Sequence, residues 1–173
     1  MTRHIVLLGL MGAGKTTVGR ALATELGRPL RDSDADIRAA TGRSAREIDE
    51  ARGTAELHRV EADHLIDALG AAEPSVICAA ASTIDDPACR AALVGPDLML
   101  VWLRAEPGTL VGRARPAGHR RDLGPDRAAK IADQAAARYP MFDALRPLTI
   151  DAEGRSPKVI ARLIARQASL ADR

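Results

Sequence analysis

Short apolar runs alternate with helix-period stretches along the chain. Ile5 to Leu8 is a continuous apolar run, the pattern of a fully buried strand. From Thr17 to Leu26, Val18, Leu22 and Leu26 recur at i, i+4 and i+8, one apolar face of a helix. Gly27 stands where that helix should be capped. Pro29 to Asp32 reads as a short strand that ends in the acidic set Asp32 to Asp36. Thr41 to Arg43 is a turn. Ser44 and Glu47 have capping-box spacing and start a short helix, which Gly53 interrupts. Thr54 to Leu69 predicts a longer helix with Leu57, Val60, Leu65 and Leu69 inward.

Ser75 to Ala80 is the next buried strand. Asp86-Pro87 opens a helix, with Asp as cap and Pro at the first helical position. Asp97 to Leu103 is a strand, and Glu106-Pro107 starts another helix. Arg115 to Gly124 has little apolar content and reads as an exposed segment. A helix is expected from Pro125 or Asp126 to Arg138, a fifth strand over Leu148 to Ile150, and a last helix from Ser156-Pro157 to about Ala168. Five apolar strands alternating with helices predict an α/β fold, a parallel sheet covered on both faces. Ligands of such sheets bind beyond the carboxyl ends of the strands. Gly9 to Thr16, Asp32 to Asp36 and the turn after Ala80 all fall at such ends.

Composition narrows the classes. At 173 residues, 46% hydrophobic and 28% charged, the chain fits one globular domain, residues 1–173. Trp102, Tyr139 and Phe142 are its aromatics, so the core must come from Leu, Val, Ile and Ala. The net charge of +2 comes from Arg residues scattered among acids, which excludes a nucleic-acid footprint. Cys78 and Cys89 lack zinc or redox spacing and read as free thiols in a reducing compartment. No leader-like segment or membrane-length apolar run occurs, so the expected location is cytoplasmic, with no membrane partner.

Gly9-Leu10-Met11-Gly12-Ala13-Gly14-Lys15-Thr16 fits G-x-x-x-x-G-K-[ST], the phosphate-binding P-loop, between a strand and a helix as the motif requires. Glycines let backbone N–H groups wrap a phosphate without Cβ atoms in the way, and the helix N-terminus adds partial positive charge. The cofactor-binding set is therefore Gly12, Ala13, Gly14, Lys15, Thr16 and Thr17. Lysine is rare here (Lys15, Lys130 and Lys158), and its compact ammonium suits a site between phosphate oxygens. Lys15 is placed for the β/γ phosphates of a nucleotide and Thr16 for Mg²⁺.

Mg²⁺ also favours carboxylate oxygens. The strands ending near Ala80 and Leu103 carry no such Asp, whereas the strand before Asp32 does; Asp32 is assigned to the metal. Capping of a following helix is its other available role. Asp34 would face the same way if the chain stayed extended, and could accept or orient an acceptor hydroxyl's proton. A solvated charge in a turn is its alternative. The Arg-rich segment Arg115 to Arg121 suits a lid that brings a guanidinium over a phosphoryl group; a plain basic loop is the other reading.

Gly9 to Thr17, Asp32-Ser33-Asp34, Leu57-His58-Arg59-Val60-Glu61, Gly124-Pro125-Asp126-Arg127, Ala137-Arg138-Tyr139-Pro140 and Asp151 to Pro157 occur in the order and spacing of shikimate kinases, and the chain resembles that family over nearly its whole length. The resemblance implies a nucleoside-monophosphate-kinase-like fold, strand order 2-3-1-4-5, with substrate-binding helices at about 33–70 and a lid at about 112–125. It implies ATP and Mg²⁺, and transfer of the γ-phosphoryl group to the 3-hydroxyl of shikimate by a monomer. It assigns Asp34 to the shikimate hydroxyls, Arg138 to the substrate carboxylate, and Arg155 to Pro157 to the adenine. A catalytic lid arginine most resembles Arg120, with Arg121 or His119 as other alignments.

Two features depart from the family pattern. His58 stands where a family Arg grips the carboxylate, and Ala79-Ala80-Ala81 replaces three glycines that approach shikimate. Loss of a charged hydrogen bond costs about 1.5–3 kcal/mol, roughly 10- to 150-fold in affinity. Glu61 lies one turn on and could raise the pKa of His58. Arg59 points about 100° away on the helix. Alanine methyl groups at Ala80 and its neighbours narrow the pocket. The expected activity is thus phosphoryl transfer to an alcohol, with shikimate the leading acceptor. The alternatives are another hydroxylated metabolite and a catalytically weak nucleotide-binding regulatory protein. Intact Lys15, Thr16, Asp32 and Asp34 argue against the last. No N-K-x-D motif supports a GTPase.

Overall fold

The structure, a computed structural model, describes residues 4–114 and 123–171. Five strands form one parallel sheet: β1 (His4–Leu8), β2 (Leu30–Asp32), β3 (Val76–Cys78), β4 (Leu98–Arg104) and β5 (Leu148–Asp151). Their order is β2-β3-β1-β4-β5, as expected. Val6 at the centre is in register with Ile77 on one side and Leu100 on the other. Every residue of β1 and β3 is buried, although alternate side chains point to opposite faces, so both faces are covered.

The helices are α1 (Lys15–Leu26), α2 (Ser33–Thr41), α3 (Ala45–Arg52), α4 (Thr54–Leu69), α5 (Pro87–Ala92), α6 (Pro107–Arg113), α7 (Arg127–Ala144) and α8 (Pro157–Ala171), with a short 3₁₀ turn over Ala81–Asp85. Most caps are as the sequence predicts. Gly27 ends α1 in the left-handed region, the Ser44–Glu47 capping box is complete, and Asp86 accepts from the Cys89 N–H. Helix α1 lies against α8 and over β3, where a Cβ on Gly19 would come 2.4 Å from Cys78 Sγ. Trp102 of β4 packs on Tyr139 and Phe142 of α7, with ring centroids 5.0 and 5.6 Å away. Ile37, Ala45, Ile48 and Leu57 form a second, smaller apolar cluster inside α2–α4.

Two expectations are corrected. Residues after Asp32 do not stay extended: Asp32 caps α2, and Asp34 lies in that helix's first turn. Helix α7 does not stop at Arg138 but continues through Pro140 to Ala144. The proline deprives the Ala136 carbonyl of its N–H partner. Ala136 is exposed, so water can take that place, while buried Phe142 holds the last turns on the core.

Candidate active site

The loop between β1 and α1 has the backbone of an anion cradle. Gly9, Gly12 and Gly14 take φ of 146°, 86° and 96°. Gly9 is required sterically too, since a Cβ there would sit 2.8 Å from the Leu103 carbonyl oxygen. Gly14 faces open space and caps α1 in the left-handed region; the first i→i−4 bond of the helix is Val18 N–H to its carbonyl, 2.9 Å. The earlier N–H groups of α1, on Lys15, Thr16 and Thr17, have no intrahelical acceptor to reach. Lys15 Nζ donates to the carbonyls of Gly9 at 2.7 Å and Leu10 at 3.2 Å, holding the ammonium against the loop.

A cavity of about 330 Å³ opens over this loop at the carboxyl ends of β1, β2 and β3. Gly12, Gly14, Lys15, Thr16 and Thr17 line it, as do Asp32 and Asp34, and His58, Ala80 and Arg138. The topology thus gathers most of the sequence-predicted residues at one place. Ala13 is the exception within the loop: it is buried, and its N–H donates to the Leu10 carbonyl at 3.1 Å. Arg155 and Pro157 lie between β5 and α8, apart from the cavity lining. His119, Arg120 and Arg121 fall outside the described residues. Arg113, which closes α6 and starts the expected lid span, lines the cavity and reaches the Ala152 carbonyl at 3.4 Å.

Asp32 takes the capping role, and its second oxygen meets Thr16. Its Oδ1 accepts from Ala35 N–H at 3.3 Å as the α2 cap, and its Oδ2 accepts from the Thr16 hydroxyl at 2.8 Å. One side chain therefore ties the helix after the P-loop to the helix bearing Asp34. Cys78, beneath them, donates its thiol to the Lys15 carbonyl at 3.3 Å. Burial, with the negative charge of Asp32, pushes that thiol well above its ordinary pKa, so it stays protonated and unreactive.

Across the cavity, Arg138 is nearly buried, and its guanidinium meets both oxygens of Asp85: Nη2 donates at 2.6 Å, and Nε at 3.1 and 3.2 Å. Arg138 Nη1 donates to Gln134 at 3.2 Å. Glu61 is buried and accepts a short hydrogen bond from the Ser82 hydroxyl. Sequence reasoning missed Asp85, Gln134 and Ser82. The Arg138–Asp85 contact joins residues 53 apart, which only the folded topology reveals, although Gln134 sits one helical turn before Arg138. Ala80 has φ −63° and ψ 145°, an ordinary extended conformation, so the alanine turn does not need glycine's freedom. Arg59 cannot substitute for a cavity arginine: it is mostly exposed and pairs with Glu56 at 2.9 Å and Asp63 at 2.6 Å.

The family model for shikimate kinase matches residues 11–169, the P-loop and nearly all that follows. The chain belongs to the shikimate kinase family. The family is one of phosphotransferases acting on a hydroxyl group, with ATP as donor. Among its members, the shikimate kinase of Symbiobacterium thermophilum is 40% identical over 156 residues, 88% of each chain. That of Mycobacterium bovis is 35% identical over 167 residues, 95% of this chain and 92% of the relative. The structure of the Acinetobacter baumannii shikimate kinase in complex with shikimate superposes with a TM-score of 0.90 at 28% identity, covering 100% of this chain and 96% of that one. A gluconokinase from Sinorhizobium meliloti shares the fold, with a TM-score of 0.64 at 20% identity. None of the described helices is long and apolar enough to cross a membrane.

Proposed function

We propose that this member of the shikimate kinase family transfers the γ-phosphoryl group of ATP to the 3-hydroxyl of shikimate. The reading is carried by one observation: a single cavity is lined by the P-loop cation Lys15, the carboxylate Asp34 and the nearly buried Arg138. Shikimate is a small hydroxylated carboxylic acid, and each part of it finds a complementary group there. Asp34 accepts hydrogen bonds from its hydroxyls and takes up or orients the proton of the attacking one. Arg138 pairs with its carboxylate. Lys15 leaves the Gly9 and Leu10 carbonyls for the phosphates, where the α1 N-terminus adds N–H donors. Arg155 and Pro157 flank the adenine, and a lid arginine, Arg120, covers the phosphates.

Mg²⁺ commonly takes one or two protein oxygens and fills its other positions with water and phosphate. The Thr16 hydroxyl and Asp32 carboxylate, adjacent at the cavity floor, fit that demand. The ion would neutralise developing charge on the transferred group. The protein acts as a monomer in the cytoplasm.

Addition of shikimate should start ADP release by the protein with ATP and Mg²⁺, and phosphorus NMR should find a new phosphate monoester. ADP release that shikimate does not accelerate would refute the reading. His58, in place of a second cavity arginine, favours a second reading, a hydroxylated acceptor without a carboxylate. A polyol with higher kcat/KM than shikimate would select it.

A further inference from the structure

The acceptor end of the cavity is less cationic than its residue list suggests. Arg138 is the guanidinium there, and each of its three nitrogens already donates within the protein. Asp85 takes Nε and Nη2 through both of its oxygens, the paired fork geometry by which a guanidinium binds any carboxylate. Gln134 takes Nη1. Asp85 does not line the cavity, and its side chain is 44% exposed, against 10% for Arg138. The carboxylate therefore meets the guanidinium from outside the cavity lining and offsets its charge.

We propose that Asp85 determines acceptor specificity: it competes with the acceptor's carboxylate for Arg138 and so weakens selection for acidic acceptors. The inference rests on the reading of shikimate as acceptor. A second carboxylate brought to this guanidinium must displace Asp85 from the Nε/Nη2 edge or share the cation with it at like-charge cost. Both penalties fall on binding a charged acceptor. Neither falls on ATP, whose cradle is the loop after β1, nor on an acceptor with a neutral group in place of the carboxylate. Asp85 ends the 3₁₀ turn that begins at Ala81, directly after the alanine segment, so the residues shaping the pocket floor and the residue tempering its charge belong to one short stretch.

The test is steady-state kinetics of the wild-type protein, Asp85→Asn and Asp85→Ala, with shikimate and its methyl ester as acceptors. Asparagine keeps a hydrogen-bond acceptor beside Arg138 and removes the charge. Both variants should lower KM for shikimate, by about tenfold, the lower end of what a charged hydrogen bond contributes. Values of kcat and KM for ATP should stay within about twofold, as should KM for the ester. A shikimate KM that stays the same or rises would overturn the proposal, as would an equal fall for the ester. Should shikimate provoke no ADP release from any of the three proteins, the assignment of the acceptor fails and takes this inference with it. Wild-type turnover with an unmoved KM in the variants leaves that assignment standing and rejects Asp85 alone. Thermal melts of the three proteins confirm that the half-exposed position tolerates the change.

Discussion

Replacing Lys15 with alanine gives the sharpest measure of the phosphate cradle. Ligand binding stabilises a native protein by RT ln(1 + [L]/Kd), about 2.7 kcal/mol at a hundredfold excess over Kd. Unfolding entropy near the melting temperature is about 2.1 cal/mol/K per residue, or roughly 0.36 kcal/mol/K for the 173 residues here. ATP with Mg²⁺ at that excess should thus raise the wild-type Tm by about 7 °C. A charged hydrogen bond to phosphate is worth about 1.5–3 kcal/mol. The structure argues for the lower end, because Lys15 must first give up its bonds to the Gly9 and Leu10 carbonyls at 2.7 and 3.2 Å. A loss of about 1.5 kcal/mol weakens binding about tenfold, which reduces the shift at the same ATP concentration to about 4 °C. Differential scanning fluorimetry with and without nucleotide reads both numbers. An equal shift in wild type and Lys15→Ala would refute the assignment of this lysine to the phosphates.

Restoring an arginine with His58→Arg should lower KM for shikimate by about tenfold with kcat little changed, since it returns a charged partner to the cavity wall; an unmoved KM in steady-state assays would show that this wall does not meet the carboxylate. Asp34→Asn should reduce phosphoryl transfer by about 100-fold or more, the usual range for a general base, while leaving the nucleotide-dependent Tm shift in place; retained turnover would remove Asp34 from its role. Ser44→Ala breaks the capping box of α3 and should cost about 1 kcal/mol by chemical denaturation near neutral pH. That cost should depend on pH with a definite sign. Hydrogen bonds from the Ser44 N–H and hydroxyl hold the Glu47 carboxyl below its ordinary value of 4.5, so the contribution is complete above that value and is lost as pH falls through the lower folded one. The gap between wild type and Ser44→Ala should therefore narrow on acidification below 4.5, as melts in a buffer series would show.

How far the sequence could be read depended on whether a feature was local. The P-loop, the Ser44–Glu47 box, the Asp86-Pro87 start and the span of α4 are written in adjacent residues, and the structure has each of them in place. Strand order was legible only through likeness to a family, because nothing within β1 dictates which strands flank it. The expected placement of Asp34 beside Asp32 requires the strand to stay extended past Asp32. In the structure Asp32 starts a helix at once, and Asp34 reaches the cavity from its first turn. Helix α7 runs past the expected end at Arg138, because packing of Phe142 on the core holds its last turns. Asp85 and Ser82, which meet Arg138 and Glu61, come from the 3₁₀ turn after β3, and no spacing rule connects that turn to α7 or α4. The chemistry of the phosphate half is thus visible in one contiguous motif, whereas the acceptor half is assembled from four separated segments.

The small apolar knot of Ile37, Ala45, Ile48 and Leu57 has a bearing on how such an enzyme changes its diet. Those residues anchor α2–α4 to one another, and buried polar links such as Glu61–Ser82 tie the group to the rest. Substitutions that retune recognition there draw on a reserve of stability largely separate from that of the central sheet. A lineage can therefore exchange arginine for histidine at position 58 of α4 while the machinery that grips the nucleotide keeps its shape. Divergence of the sugar-like partner is cheap in this architecture, and divergence of the energy-rich one is not.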